Sequence, residues 1–150
     1  MKYEKVIFAC MDNTCRSIMA EAVFASVNKK NIVEVCSRGL AVLFPEPVNP
    51  KAVAVLRSNG LSPEKESSQE LSAADITEDA VILTMTEKEK RIAREMFPDY
   101  EEIYTIADFT GQEGNIEEPR GGTLSEYGAC YEYIDFTVKM AAEKLFGQSR

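Results

Sequence analysis

The chain has 150 residues, 45% of them hydrophobic, a formal net charge of −8 and no histidine. That length and apolar content suit one domain, 1–150, around a single core. The negative balance disfavours nucleic acid and anionic lipid, and no basic stripe with interleaved aromatics offsets it. No apolar stretch reaches membrane-spanning length, and Lys2, Glu4 and Lys5 crowd the start where a secretory leader is apolar, so a cytoplasmic protein is expected.

The first expected element is a strand over 6–9, an apolar run feeding straight into Cys10-Met11-Asp12-Asn13-Thr14-Cys15-Arg16-Ser17. A helix follows at once, with Met19, Ala22, Val23 and Val27 at i, i+3, i+4 and i+8. Strand, short loop and helix N-terminus in that order make an oxyanion site. Backbone N–H groups and the helix dipole supply a positive field, and Arg16 can grip two phosphate oxygens in a fork. The same field favours the Cys10 thiolate. The chemistry this implies is phosphoryl transfer to sulfur.

A second strand is expected over 32–36, ending at Ser37-Arg38-Gly39. Asn49 with Pro50 predicts the cap and first residue of a helix that closes near Asn59-Gly60. The run 80–85 reads as a third strand, buried on both faces. Thr86 and Glu89 have capping-box spacing for a helix that stops before Pro98, and a fourth strand is expected over 102–106. Thr123 and Glu126 predict another box, opening a helix whose stripe is Leu124, Tyr127, Tyr131, Ile134, Val138, Ala141 and Leu145. Its tyrosines are read as packing residues. The alternation implies a single α/β domain: a parallel sheet with right-handed crossovers and helices on both faces, its ligand beyond the carboxyl ends of the strands, where Cys10 lies.

The four cysteines, Cys10, Cys15, Cys36 and Cys130, are unevenly spaced and lack C-x2-C pairs; without histidine, neither a disulfide framework nor a zinc site is expected. Cys36 and Cys130 read as small buried residues.

The loop, with Asn13, Cys15, Arg16-Ser17 and Met19-Ala20-Glu21-Ala22, resembles the nucleophile loop of low-molecular-weight protein tyrosine phosphatases. Ser37-Arg38-Gly39 looks like that family's Ser-x-Gly, Leu83-Thr84-Met85-Thr86 like its segment after strand three, and Glu118-Pro119-Arg120-Gly121-Gly122-Thr123 like its acid loop. The resemblance implies the phosphotyrosine phosphatase I-like fold with four parallel strands. It also implies a two-step mechanism without cofactor or metal: Cys10 takes the phosphoryl group, Arg16 stabilises it in transfer, Glu118, with Glu117 as the nearest competitor, protonates the leaving group and water releases phosphate. Met11, Asp12, Asn13, Thr14, Cys15, Ser17 and Arg120 are expected to bind phosphate or substrate, with Ser17 supporting the thiolate and Asn13 tying the loop. The second loop thiol implies a redox role, Cys15 capturing oxidised Cys10 as a disulfide. The expected partner is a phosphorylated protein, handled by a monomer or weak homodimer.

Four positions depart from the family pattern. Glu118 replaces Asp before Pro119, Asp12 stands at the usual Gly, Ile18 at the usual Pro and Arg120 at a pocket aromatic. Thr14 and Gly121-Gly122-Thr123 resemble the bacterial branch that dephosphorylates protein arginine. The competing readings are a phosphate-binding module without turnover, favoured by Asp12 and Glu118, and an arsenate reductase, which needs two further cysteines in a downstream segment.

Overall fold

The computed structural model describes residues 2–119 and 121–148. Four strands, β1 (Lys5–Cys10), β2 (Glu34–Gly39), β3 (Ala80–Thr84) and β4 (Ile103–Thr105), form one sheet in the order β2-β1-β3-β4, every neighbouring pair parallel. β1 therefore lies between the strand that follows it and the third strand. The chain departs to one side of β1 and later returns on the other, which opens a crevice beyond its carboxyl end, and Cys10 is its last residue.

Alternation along β1 divides the core. Val6, Phe8 and Cys10 face one cluster, shared with α1 (Arg16–Val27), α2 (Pro50–Ser58), the short α4 (Ile106–Phe109) and α5 (Leu124–Gly147). Ile7 and Ala9 face the other, with Ile82, Leu40, Leu71 and Ile103, under α3 (Glu87–Met96). Both faces of β1 are thus dry, as parallel strands require.

Most expected elements form, with informative shifts. β2 begins two residues later than the apolar run suggests because the chain after α1 makes a tight turn, with Lys30 and Asn31 at positive φ. The Asn28 side chain closes that turn by bonding both the N–H and the C=O of Val33. Asn49 caps α2 by accepting from the Lys51 N–H, and the Thr123 and Glu126 box at α5 is complete. The box at α3 is only half made: Thr86 accepts from the Glu89 N–H, but the Glu89 carboxylate meets the Thr86 hydroxyl and not its backbone N–H. In α5 the stripe is buried from Tyr127 to Leu145, while Leu124 is exposed. This helix packs chiefly on α1, with α2 and α4 beside it.

Candidate active site

Residues 11–15 join β1 to α1, and their carbonyls explain the loop's shape. The C=O groups of Cys10, Met11, Thr14 and Cys15 accept from the N–H groups of Leu40, Ala41, Asn49 and Met19, all outside the loop. In a trans peptide the next N–H points opposite to the carbonyl, and no described peptide bond is cis. The N–H groups of Met11, Asp12, Cys15 and Arg16 therefore turn to the inner side, as an anion cradle at a helix N-terminus needs.

Asn13 reverses the chain within this loop at φ 58°, the left-handed region that Asn tolerates. Its Oδ1 accepts from the Gln69 N–H at 3.0 Å, which orients the amide so that Nδ2 donates to Ser17 Oγ at 2.7 Å and to Ser37 Oγ at 3.2 Å. Because Ser17 Oγ accepts there, its own hydrogen is free for the Cys10 sulfur, 2.9 Å away. Ser37 donates in turn to Glu21 Oε1 at 2.6 Å, and Lys65 Nζ donates to the Ser37 carbonyl at 2.6 Å. Burial pushes the Glu21 carboxyl up, against the bond from Ser37 and the charge of Lys65. Close packing behind the loop also fixes Gly39: a Cβ there would lie 2.5 Å from Val42 Cγ2 and 3.1 Å from Asn13 Cβ.

Arg16 is buried at the first turn of α1 and held by two carboxylates. Nη1 and Nη2 donate to Glu89 Oε1 and Oε2 at 3.1 and 2.7 Å, Nη1 donates also to the Ile116 carbonyl at 3.0 Å, and Nε donates to Glu118 Oε2 at 2.9 Å. A cleft of about 300 Å³ opens beside it, lined by Met11, Arg16, Thr86, Lys88, Glu89, Glu117 and Glu118. On the other side of the loop, Asp12 shares a smaller hollow with Leu43, Phe44 and Glu46 from the segment after β2. Asp12 Oδ1 accepts from the Thr14 N–H and from the Thr14 hydroxyl, at 3.2 and 3.1 Å.

The site residues expected from sequence thus divide clearly. Cys10, Asn13, Arg16, Ser17 and Glu118 converge, Met11 and Thr14 stand half-exposed at the rim, and Cys15 is fully buried at the α1 cap. Arg120 lies outside the described residues. Sequence reading missed Glu89, whose spacing was spent on the capping box, and gave no role to Glu21. Cys36 and Cys130, expected to be buried, are both half-buried, and Cys130 packs against the cluster that holds Cys10 and Cys15. Among the described residues, no three His, Cys, Asp or Glu side chains gather to hold a metal.

Burial works against the expected depression of the Cys10 pKa. Burial pushes the thiol up; the Arg16 charge and the hydrogen bonds from the Ser17 hydroxyl and N–H pull it down, and Glu89 pushes it up again. Two carboxylates beside Arg16 blunt the cation that sulfur depends on.

A profile of the low molecular weight phosphotyrosine protein phosphatase family matches residues 5–149. The chain belongs to that family. Low molecular weight protein-tyrosine-phosphatase PtpB of Staphylococcus haemolyticus is 32% identical over 136 residues, covering 89% of this chain and 94% of the relative. The protein-arginine-phosphatase of Geobacillus stearothermophilus is 32% identical over 143 residues, covering 94% and 95%. Among solved structures, the low molecular weight protein tyrosine phosphatase from T. tengcongensis superposes with a TM-score of 0.88 at 32% identity, over 94% of this chain and 99% of that one. The protein is accordingly a cysteine-dependent protein phosphatase of low molecular weight, and its four-stranded parallel sheet is the family fold. No helix among the described residues is long and apolar enough to cross a membrane.

The polarity of the Ser17 bond gives a direct test. Ser17→Ala removes a donor that lowers the Cys10 pKa, so the pH profile of iodoacetamide inactivation will move to higher pH. Loss of one hydrogen bond to a charged group costs about 1.5–3 kcal/mol, which is roughly a 10- to 100-fold fall in turnover. An unmoved profile contradicts the assigned direction of that bond.

Proposed function

We propose that the chain dephosphorylates phosphoarginine in proteins in preference to phosphotyrosine, with Cys10 as nucleophile, Arg16 as the phosphate-binding cation and Glu118 as general acid. The Cys10 sulfur attacks phosphorus as the P–N bond breaks, Glu118 gives its proton to the leaving guanidine, and water then cleaves the S–P bond to release phosphate. The amides of Met11, Asp12, Cys15 and Arg16 take up charge on the transferring group. Asn13 acts by holding Ser17, and Ser17 by stabilising sulfur as it becomes the leaving group.

The observation that carries the arginine preference is the Thr14 hydroxyl, whose hydrogen is committed to Asp12 Oδ1. Its remaining lone pairs and the Asp12 carboxylate present acceptors, which suit a guanidinium and offer nothing to a phenyl ring. Asp12, a negative charge beside an anion-binding loop, then serves the cationic half of the substrate. The net charge of −8 and the carboxylates Glu117 and Glu118 at the cleft fit the same partner. The named relatives include both activities, so the comparison with phosphotyrosine is part of the test.

Assays on matched phosphoarginine and phosphotyrosine peptides will show higher kcat/KM for arginine. Thr14→Ile will lower that ratio about tenfold, Glu118→Gln will lower kcat about 10²- to 10⁴-fold, and Cys10→Ala will abolish turnover by about 10⁴-fold or more. Equal or better hydrolysis of phosphotyrosine by the wild type rejects the preference, and activity surviving in Cys10→Ala rejects the nucleophile.

Cys15 has a protective role in the same proposal. Peroxide converts the Cys10 thiolate to sulfenic acid, the Cys15 thiol displaces water from it, and the resulting disulfide is reopened by a dithiol. Both thiols are free and buried in one loop. Peptide mass mapping after mild peroxide will find the 10–15 bridge; sulfinic or sulfonic acid on Cys10 alone is the contrary outcome.

A further inference from the structure

Arg16 has five N–H donors, and counting them decides what a phosphate can reach. Glu89 takes the end of the guanidinium with one hydrogen from each Nη, and the Ile116 carbonyl takes the second hydrogen of Nη1. What remains is the side formed by Nε and the outer hydrogen of Nη2. A phosphoryl group can use a two-pronged grip only on that side. Glu118 already occupies it through Nε.

The two carboxylates are held differently. Glu89 is as buried as Arg16, its side chain 5% exposed, and it is fixed further by the Thr86 hydroxyl and by its place in the first turn of α3. Glu118 lies on a loop with its side chain 18% exposed and makes a single bond to the guanidinium. One partner is bidentate and enclosed; the other is monodentate and open to the cleft.

We propose that Glu89 is a positioning residue that turns the Nε and Nη2 side of Arg16 toward the loop, and that Glu118 covers that side until a phosphoryl group displaces it. The inference rests on the phosphatase reading above. Displacement performs two tasks at once: it frees the fork for two phosphoryl oxygens, and it releases the Glu118 carboxylate into the open cleft beside the scissile bond, where it takes up a proton from solvent and hands it to the leaving group.

Inorganic phosphate, measured by calorimetric titration, separates this from simple charge. Coulomb's law alone says that neutralising either carboxylate tightens an anion. The proposal gives opposite signs. Glu118→Gln will bind phosphate about tenfold more tightly although its kcat falls, whereas Glu117→Gln, which removes a neighbouring charge of the same sign, will change affinity by less than about threefold. Glu89→Gln will bind about tenfold more weakly or worse. Should that variant fail to fold, Glu89→Asp keeps the charge and loses the reach, and the expected result is again weaker binding. Tighter binding in both Glu89→Gln and Glu118→Gln overturns the proposal, as does phosphate affinity unchanged by Glu118→Gln. Phosphate binding absent from the wild type and every variant would instead remove the phosphatase reading on which it rests.

Discussion

The loop between β1 and α1 works because Asn13 accepts a left-handed backbone. That conformation costs about 1–2 kcal/mol for an L-residue, and the three hydrogen bonds of its amide, each worth about 1 kcal/mol, outweigh the cost. With the reversal fixed, four carbonyls find partners outside the loop and the intervening amides turn inward. The same amide donates to Ser17 Oγ and leaves the Ser17 hydrogen free to point at sulfur. Remove the reversal and the cradle, the cap and the orientation of the nucleophile lose their common origin.

Electrostatics in the pocket is a contest among few groups. A buried guanidinium needs a partner, and breaking an enclosed pair costs about 3–5 kcal/mol, so Glu89 keeps Arg16 in place even where no substrate is bound. The consequence falls on Cys10, whose thiol is pushed up by burial and by Glu89 while Arg16 and Ser17 pull it down. A phosphoryl group changes this balance by taking over the side of Arg16 that Glu118 holds. Arg16 thus bears both on the packing of the pocket and on the reactivity of sulfur.

Local rules carried much of this architecture. The apolar run into Cys10, the Asn49-Pro50 start, the Thr123 and Glu126 box and the stripe from Tyr127 to Leu145 were legible because each depends on neighbours within a turn or two. The shifted start of β2 was not, since it depends on Asn28 reaching across a turn with two left-handed residues. Glu89 was hidden for a deeper reason. Its spacing to Thr86 satisfies a helix-capping pattern, and only the packing of α3 against the start of α1 shows that its carboxylate serves an arginine 73 positions away. The upward pull of burial and of Glu89 on the Cys10 thiol was hidden likewise, because both are tertiary facts.

Sulfur as the acceptor of the phosphoryl group is the central claim, and an acid-quenched single turnover followed by peptide mass analysis observes that bond directly. A phosphoryl adduct on Cys10 that forms and decays at rates consistent with turnover is the predicted result. Full turnover with no adduct on Cys10 at any time point would contradict it.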